Sequence, residues 1–122
     1  MEQDVALGRQ MFSRAIVLRG SMTPTRWRRF LEHCAKAMGM TPAGKPAVWK
    51  YPTEGGKGGV GYTICLPITE SFLVLDTWSD FDGAYLFIAS CKRFALSRVS
   101  EMAMEFGLDV EDIGCPVTLG LR

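Results

Sequence analysis

Residues 61–91 read GYTICLPITESFLVLDTWSDFDGAYLFIASC, and the reading of this stretch decides the fold. GYTICL runs up to Pro67, a second β-rich run covers 72–78, and a third, AYLFIAS, covers 84–90. Ser79, Asp80, Asp82 and Gly83 supply turn chemistry between the last two, so the stretch predicts an antiparallel meander. AYLFIAS is almost wholly apolar. A strand of that kind fits a central position, covered by helices on one face and by a partner sheet on the other. That second cover is expected to come from another subunit.

Outward from the meander, residues 13–19 (SRAIVLR) predict a first strand that ends at Gly20. A helix follows, with Thr23 as N-cap and Pro24 at its first position. Trp27, Phe30, Leu31, Cys34 and Met38 recur at helical spacing until Gly39 stops it. Arg26, Arg28, Arg29, Glu32, His33 and Lys36 fall mostly on the opposite face, which reads as a solvated surface. Residues 47–51 predict a second strand, and TEGGKGG (53–59) a loop. The loop is no Walker motif, because Lys57 is followed by Gly58 and Gly59 and then by a β-type segment in place of Ser or Thr and a helix. Beyond the meander, Ala95, Val99, Met102, Ala103 and Phe106 share one face of a second helix that ends at Gly107. CPVTLGL (115–121) reads as a closing strand. The order predicts an α+β two-layer sandwich: a mainly antiparallel β-sheet with two α-helices on one face.

A chain of 122 residues predicts a single domain over 1–122. A 48 % hydrophobic, 22 % charged composition fits an ordinary globular protein. A formal net charge of +1 offers no long-range field for capturing phosphates, which argues against nucleic acid. Glu2 and Asp4 stand where a signal peptide is basic, and the apolar runs break too early to span a bilayer. No membrane association and a cytoplasmic location are therefore expected. Cys34, Cys65, Cys91 and Cys115 form no C-x-x-C pair, and His33 is the one histidine, so metal ligation is not expected.

The opening stretch also resembles the core of the bacterial and archaeal pyruvoyl-dependent S-adenosylmethionine decarboxylases. Members of that family carry a Glu-Ser self-cleavage site, a His-Thr-Trp-Pro-Glu segment, and an apolar strand that ends in a catalytic cysteine. Here Glu70-Ser71, then 76–80 (DTWSD), then Cys91 align with that pattern without a gap. The resemblance covers about a quarter of the chain, and the order of strands and helices agrees with it.

The resemblance implies a protein that makes its own cofactor. The Ser71 hydroxyl would attack the Glu70 carbonyl, and β-elimination from the resulting ester followed by hydrolysis would leave a pyruvoyl group. That ketone forms a Schiff base with the substrate amine and accepts the electrons released with carbon dioxide. By resemblance Cys91 would return a proton to the substrate carbon. Thr63 would supply the hydroxyl that assists processing, and Asp80 a carboxylate for substrate ribose. The implied substrate is S-adenosylmethionine or a related amino acid, the pathway polyamine (spermidine) biosynthesis, and the assembly a homodimer.

Asp76 departs from the pattern, standing where the family has the histidine that takes part in proton abstraction. A carboxylate with a pKa of about 4 is a weak base near neutrality unless burial raises it. Phe72 and Ser79 replace a further histidine and the proline, and no acidic residue lies in the first strand. Each residue also has a plainer reading: Ser71 as a small turn residue, Cys91 as a buried inert thiol, Asp76 as a turn cap or an arginine's partner. The departures leave a second function open, that of an unprocessed homologue serving as a binding or regulatory subunit.

Overall fold

The computed structural model describes residues 10–52, 60–78 and 82–120. Along the chain run β1 (Gln10–Arg19), α1 (Pro24–Ala37), β2 (Ala47–Pro52), β3 (Val60–Ile68) and β4 (Ser71–Trp78). They are followed by β5 (Gly83–Ser90), α2 (Leu96–Glu105), β6 (Asp109–Ile113) and β7 (Val117–Gly120). All described strands join one antiparallel sheet in the order β2-β3-β4-β5-β1-β6, with β7 also on β1. The predicted α+β sandwich is the observed architecture.

Alternation along the strands sets the two faces of the sheet. Ile16, Leu18, Ile64, Leu66, Leu75 and Leu86 are buried on one side, in a single cluster with Trp27, Phe30, Leu31 and Cys34 of α1 and Val99 and Ala103 of α2. Both helices therefore cover the same face. Burying a side chain of this size contributes about 1.5–3 kcal/mol, so the layer contact dominates over local helix propensity. α1 starts as its sequence predicts: the Thr23 hydroxyl accepts from the Arg26 N–H at 3.2 Å, a cap worth about 1 kcal/mol. Gly39 ends it with φ +77, a backbone conformation natural to glycine. His33 and Arg26 are exposed, yet both rest on the Phe106 ring, His33 edge-on at 5.5 Å and Arg26 with its guanidinium 4.7 Å from the centroid.

The meander forms as predicted, whereas the C-terminal edge differs. The closing strand covers Val117–Gly120, and β6 (DVEDI) precedes it as a strand that the sequence pattern conceals. β6 pairs with the C-terminal half of β1 and β7 with its N-terminal half, so the two share one edge position. Gly114, Cys115 and Pro116 interrupt them, and Pro116 has no N–H to give a ladder. A mostly exposed acidic segment lacks apolar alternation, and it is held by pairing with β1 and by an Arg19–Glu111 ion pair at 2.6 Å. Charge on an edge strand also discourages further strand addition.

Candidate functional site

The turn between β3 and β4 carries Glu70, and β4 opens at Ser71. Three ties hold this turn. The Cys91 N–H donates to the Glu70 carbonyl at 2.9 Å, and the Thr69 N–H donates to the Thr41 carbonyl at 2.9 Å. The Thr41 N–H donates to the Glu70 carboxylate at 3.2 Å, which also accepts from the Thr69 hydroxyl at 3.0 Å. Those donors, the Thr41 amide foremost, hold the Glu70 carboxyl below the usual glutamate range. Half-buried Ser71 lies opposite Ser90 in the β4–β5 register, and Ser90 is fully buried. The Ser90 hydroxyl accepts from the Lys92 N–H at 3.0 Å, and Lys92 Nζ donates to the Gly39 carbonyl at 3.0 Å.

The Cys91 backbone therefore lies against Glu70, next to the Glu70–Ser71 bond, and the residue is exposed. This corrects the plain reading of a buried inert thiol, which Cys34 satisfies instead: Cys34 is buried, and burial pushes its thiol pKa far up. The reason is local, since Cys91 is the first residue past β5, where the alternating cover of the helices ends.

Thr63 and Asp76 face each other across β3 and β4, on the sheet face away from the helices. The Thr63 hydroxyl donates to Asp76 Oδ1 at 3.2 Å, and the Tyr51 hydroxyl of β2 donates to the same oxygen. Tyr51 and Thr63 hydroxyls also lie 3.2 Å apart. Asp76 is thus neither a turn cap nor a guanidinium partner by these bonds; it sits in mid-strand and its donors are hydroxyls. Burial, with the hydrogen bond to Asp76, raises the Tyr51 pKa above its ordinary 10.0. Tyr51, like Thr41, Thr69, Ser90 and Lys92, is a polar residue whose contacts the sequence does not announce. Tyr51 looks like one of several aromatic strand residues, and nothing in local sequence reveals that its hydroxyl reaches two strands away.

Two groups result, and one chain does not unite them. Glu70, Ser71 and Cys91 lie at one end of the β4–β5 pair, while Thr63, Asp76 and Tyr51 lie farther along. Ser71 and Asp76 are five residues apart on one strand, about 17 Å at ~3.3 Å per residue. By alternation Ser71 shares the helix-facing side of Leu73 and Leu75, whereas Asp76 lies on the opposite face with Phe72, and that face is apolar and covered by no described helix or strand. Phe72, Tyr85 and Phe87 are 41 %, 42 % and 41 % exposed, and Phe72 and Phe87 border a shallow groove of about 440 Å³ with Val74, Ala15 and Val117. Asp80, the expected ribose contact, and residues 53–59 lie outside the described residues. Among the described residues, no cluster of three or more His, Cys, Asp or Glu side chains could hold a metal ion, and no helix is long and apolar enough to cross a membrane.

No family model and no curated protein matches the chain. Among solved structures it is similar to the crystal structure of the adenosylmethionine decarboxylase from Aquifex aeolicus VF5, with a TM-score of 0.55 and 16 % sequence identity. The match covers 93 % of this chain and 90 % of that one. At this identity the likeness establishes a related fold and no more.

Proposed function

We propose that the chain is a self-processing, pyruvoyl-dependent decarboxylase of S-adenosylmethionine or a related amino acid, with cleavage between Glu70 and Ser71. The observation that carries this reading is the 2.9 Å hydrogen bond from the Cys91 N–H to the Glu70 carbonyl. That carbonyl is the one Ser71 Oγ must attack. A backbone donor already aimed at it supports the negative charge that develops on the oxygen, as oxyanion donors do in acyl transfer. Attack forms the Ser71 Oγ–Glu70 carbon bond, and breaking the Glu70 carbon–Ser71 nitrogen bond leaves an ester and a free amine. Loss of the Ser71 Cα proton then expels Glu70 as a carboxylate, and hydrolysis with release of ammonia leaves the pyruvoyl group. The exposed Cys91, whose N–H is bonded to Glu70, and the half-buried Ser71 are the residues that would flank such a group. When formed, the group supplies an electron sink for decarboxylation. In this reading Cys91 returns a proton to the substrate carbon.

The Asp76 group acts on this turn only in a dimer. We propose that two copies pack their uncovered sheet faces together, so that the Thr63–Asp76–Tyr51 group of one protomer meets the turn of its partner. The apolar groove around Phe72 and Phe87 supports a second copy as the cover.

One observation favours the alternative, an unprocessed homologue serving as a binding or regulatory subunit: Asp76 Oδ1 accepts from two hydroxyls. An oxygen already engaged by two donors has to release one of them before it can take a proton. Intact mass spectrometry separates the two readings. The decarboxylase reading expects fragments 1–70 and 71–122, the second bearing a ketone-containing terminus, and a Ser71→Ala chain that stays whole. A single full-length wild-type mass after prolonged incubation overturns it and leaves the binding subunit.

A further inference from the structure

We infer that Tyr51 is a positioning residue of the Thr63–Asp76 pair, with its ring laid over Gly61 so that the phenol holds the Asp76 carboxylate by one oxygen. The inference rests on the self-processing reading for its function, although the three-residue unit itself stands on geometry alone.

Directly opposed residues on neighbouring antiparallel strands bring their side chains together, which accounts for Thr63 and Asp76. It does not account for Tyr51, whose partner in the β2–β3 register is Gly61. To reach Asp76, two strands away, the ring has to cross β3. Gly61 makes this crossing possible: a Cβ there would stand 2.7 Å from Tyr51 Cε2 and 3.1 Å from Cζ. The hydroxyl then ends 3.2 Å from Thr63 Oγ1 and in hydrogen-bond contact with Asp76 Oδ1. The phenol thus joins Thr63 and Asp76 in a group of three oxygen atoms, each hydroxyl within hydrogen-bond reach of Asp76 Oδ1 and of the other hydroxyl.

The consequence is orientational. With both donors on Oδ1, the carboxylate plane is held, and Thr63 shares its acceptor with a second hydroxyl. Without the phenol, Thr63 alone restrains Asp76. The arrangement needs a protonated phenol, so it persists below the raised Tyr51 pKa and is lost as pH rises through it. Among the described residues, Cys65 of β3 and Tyr85 of β5, which pairs with Asp76, are the other titratable side chains next to the unit on that face.

Two measurements on the full-length chain test this. In the first, phenolate absorbance is titrated in wild type, Tyr51→Phe and Asp76→Asn, and the Tyr51 transition is taken as wild type minus Tyr51→Phe. It should lie above 10 in wild type and move toward 10 in Asp76→Asn; an unchanged position overturns the unit. In the second, self-cleavage is followed by intact mass. Tyr51→Phe should slow it about tenfold, the effect of losing one hydrogen bond to a charged group. Tyr51→Phe should have no further effect in an Asp76→His background, where no carboxylate remains to be held. Equal slowing in both backgrounds overturns positioning in favour of a general structural role. If wild type never cleaves, the self-processing reading fails, and the phenol titration still decides the unit.

Discussion

Glu70 is the residue whose ionisation bears most directly on the proposed cleavage turn. Its carboxyl is held below the ordinary 4.5, chiefly by the Thr41 N–H and then by the Thr69 hydroxyl. A carboxyl with a depressed folded value contributes stability that is present above the unfolded value. That contribution is lost as pH falls through the folded value. The tie between Thr41 and the turn should therefore hold at pH 5 and above and loosen below about 4.5. In a nuclear magnetic resonance titration, the Thr41 amide should shift with a midpoint under 4.5 in wild type and stay flat in Glu70→Gln. A wild-type amide insensitive to acid would remove this contact from the account. Glu70 was legible in the sequence as half of a Glu-Ser pair, whereas its role as the acceptor that fastens the turn to residue 41 was not, because that contact spans 29 positions.

Among the elements, β4 carries the contrast between the two faces in a single strand. Leu73 and Leu75 are fully buried against the helices, while Phe72 is exposed on the other side. Leu75→Ala should destabilise by about 2–5 kcal/mol, since it removes buried methyl groups and leaves a cavity. Phe72→Ala should cost the isolated protomer much less. Urea denaturation at a concentration that keeps the chain monomeric checks the order; equal losses would mean that the outer face is packed within one chain. β4 was readable from alternation. β6 was not, since DVEDI has no apolar period and becomes a strand through its pairing with β1.

At the scale of the whole molecule, the uncovered sheet face is the feature that a single chain leaves unexplained. Phe72, Tyr85, Phe87 and Val117 expose apolar surface on or beside it, and patches of this kind mark interaction sites. Light scattering at micromolar concentration should give a dimer. Phe87→Asp should shift it to monomer, because two charges would be forced into the interface without partners. A strictly monomeric wild type would sink the composite site, and with it any action of the Asp76 group on the cleavage turn.

While Glu70, Ser71, Thr63, Asp76 and Cys91 stood out only through the family resemblance, residue order by itself supplied the two-layer plan, the helix start at Thr23 and Pro24, and the three-strand meander. Those features depend on local chemistry: capping oxygens, two-residue alternation and turn residues act within a few positions of one another. Tertiary structure decided what strand register governs. It set Thr63 against Asp76 and carried the Tyr51 hydroxyl across Gly61 to meet them. It also brought the Cys91 N–H to the Glu70 carbonyl and left Ser71 and Asp76 about 17 Å apart along β4. Such contacts join residues far apart in sequence, and slipping one strand by a single position would turn every one of its side chains to the opposite face.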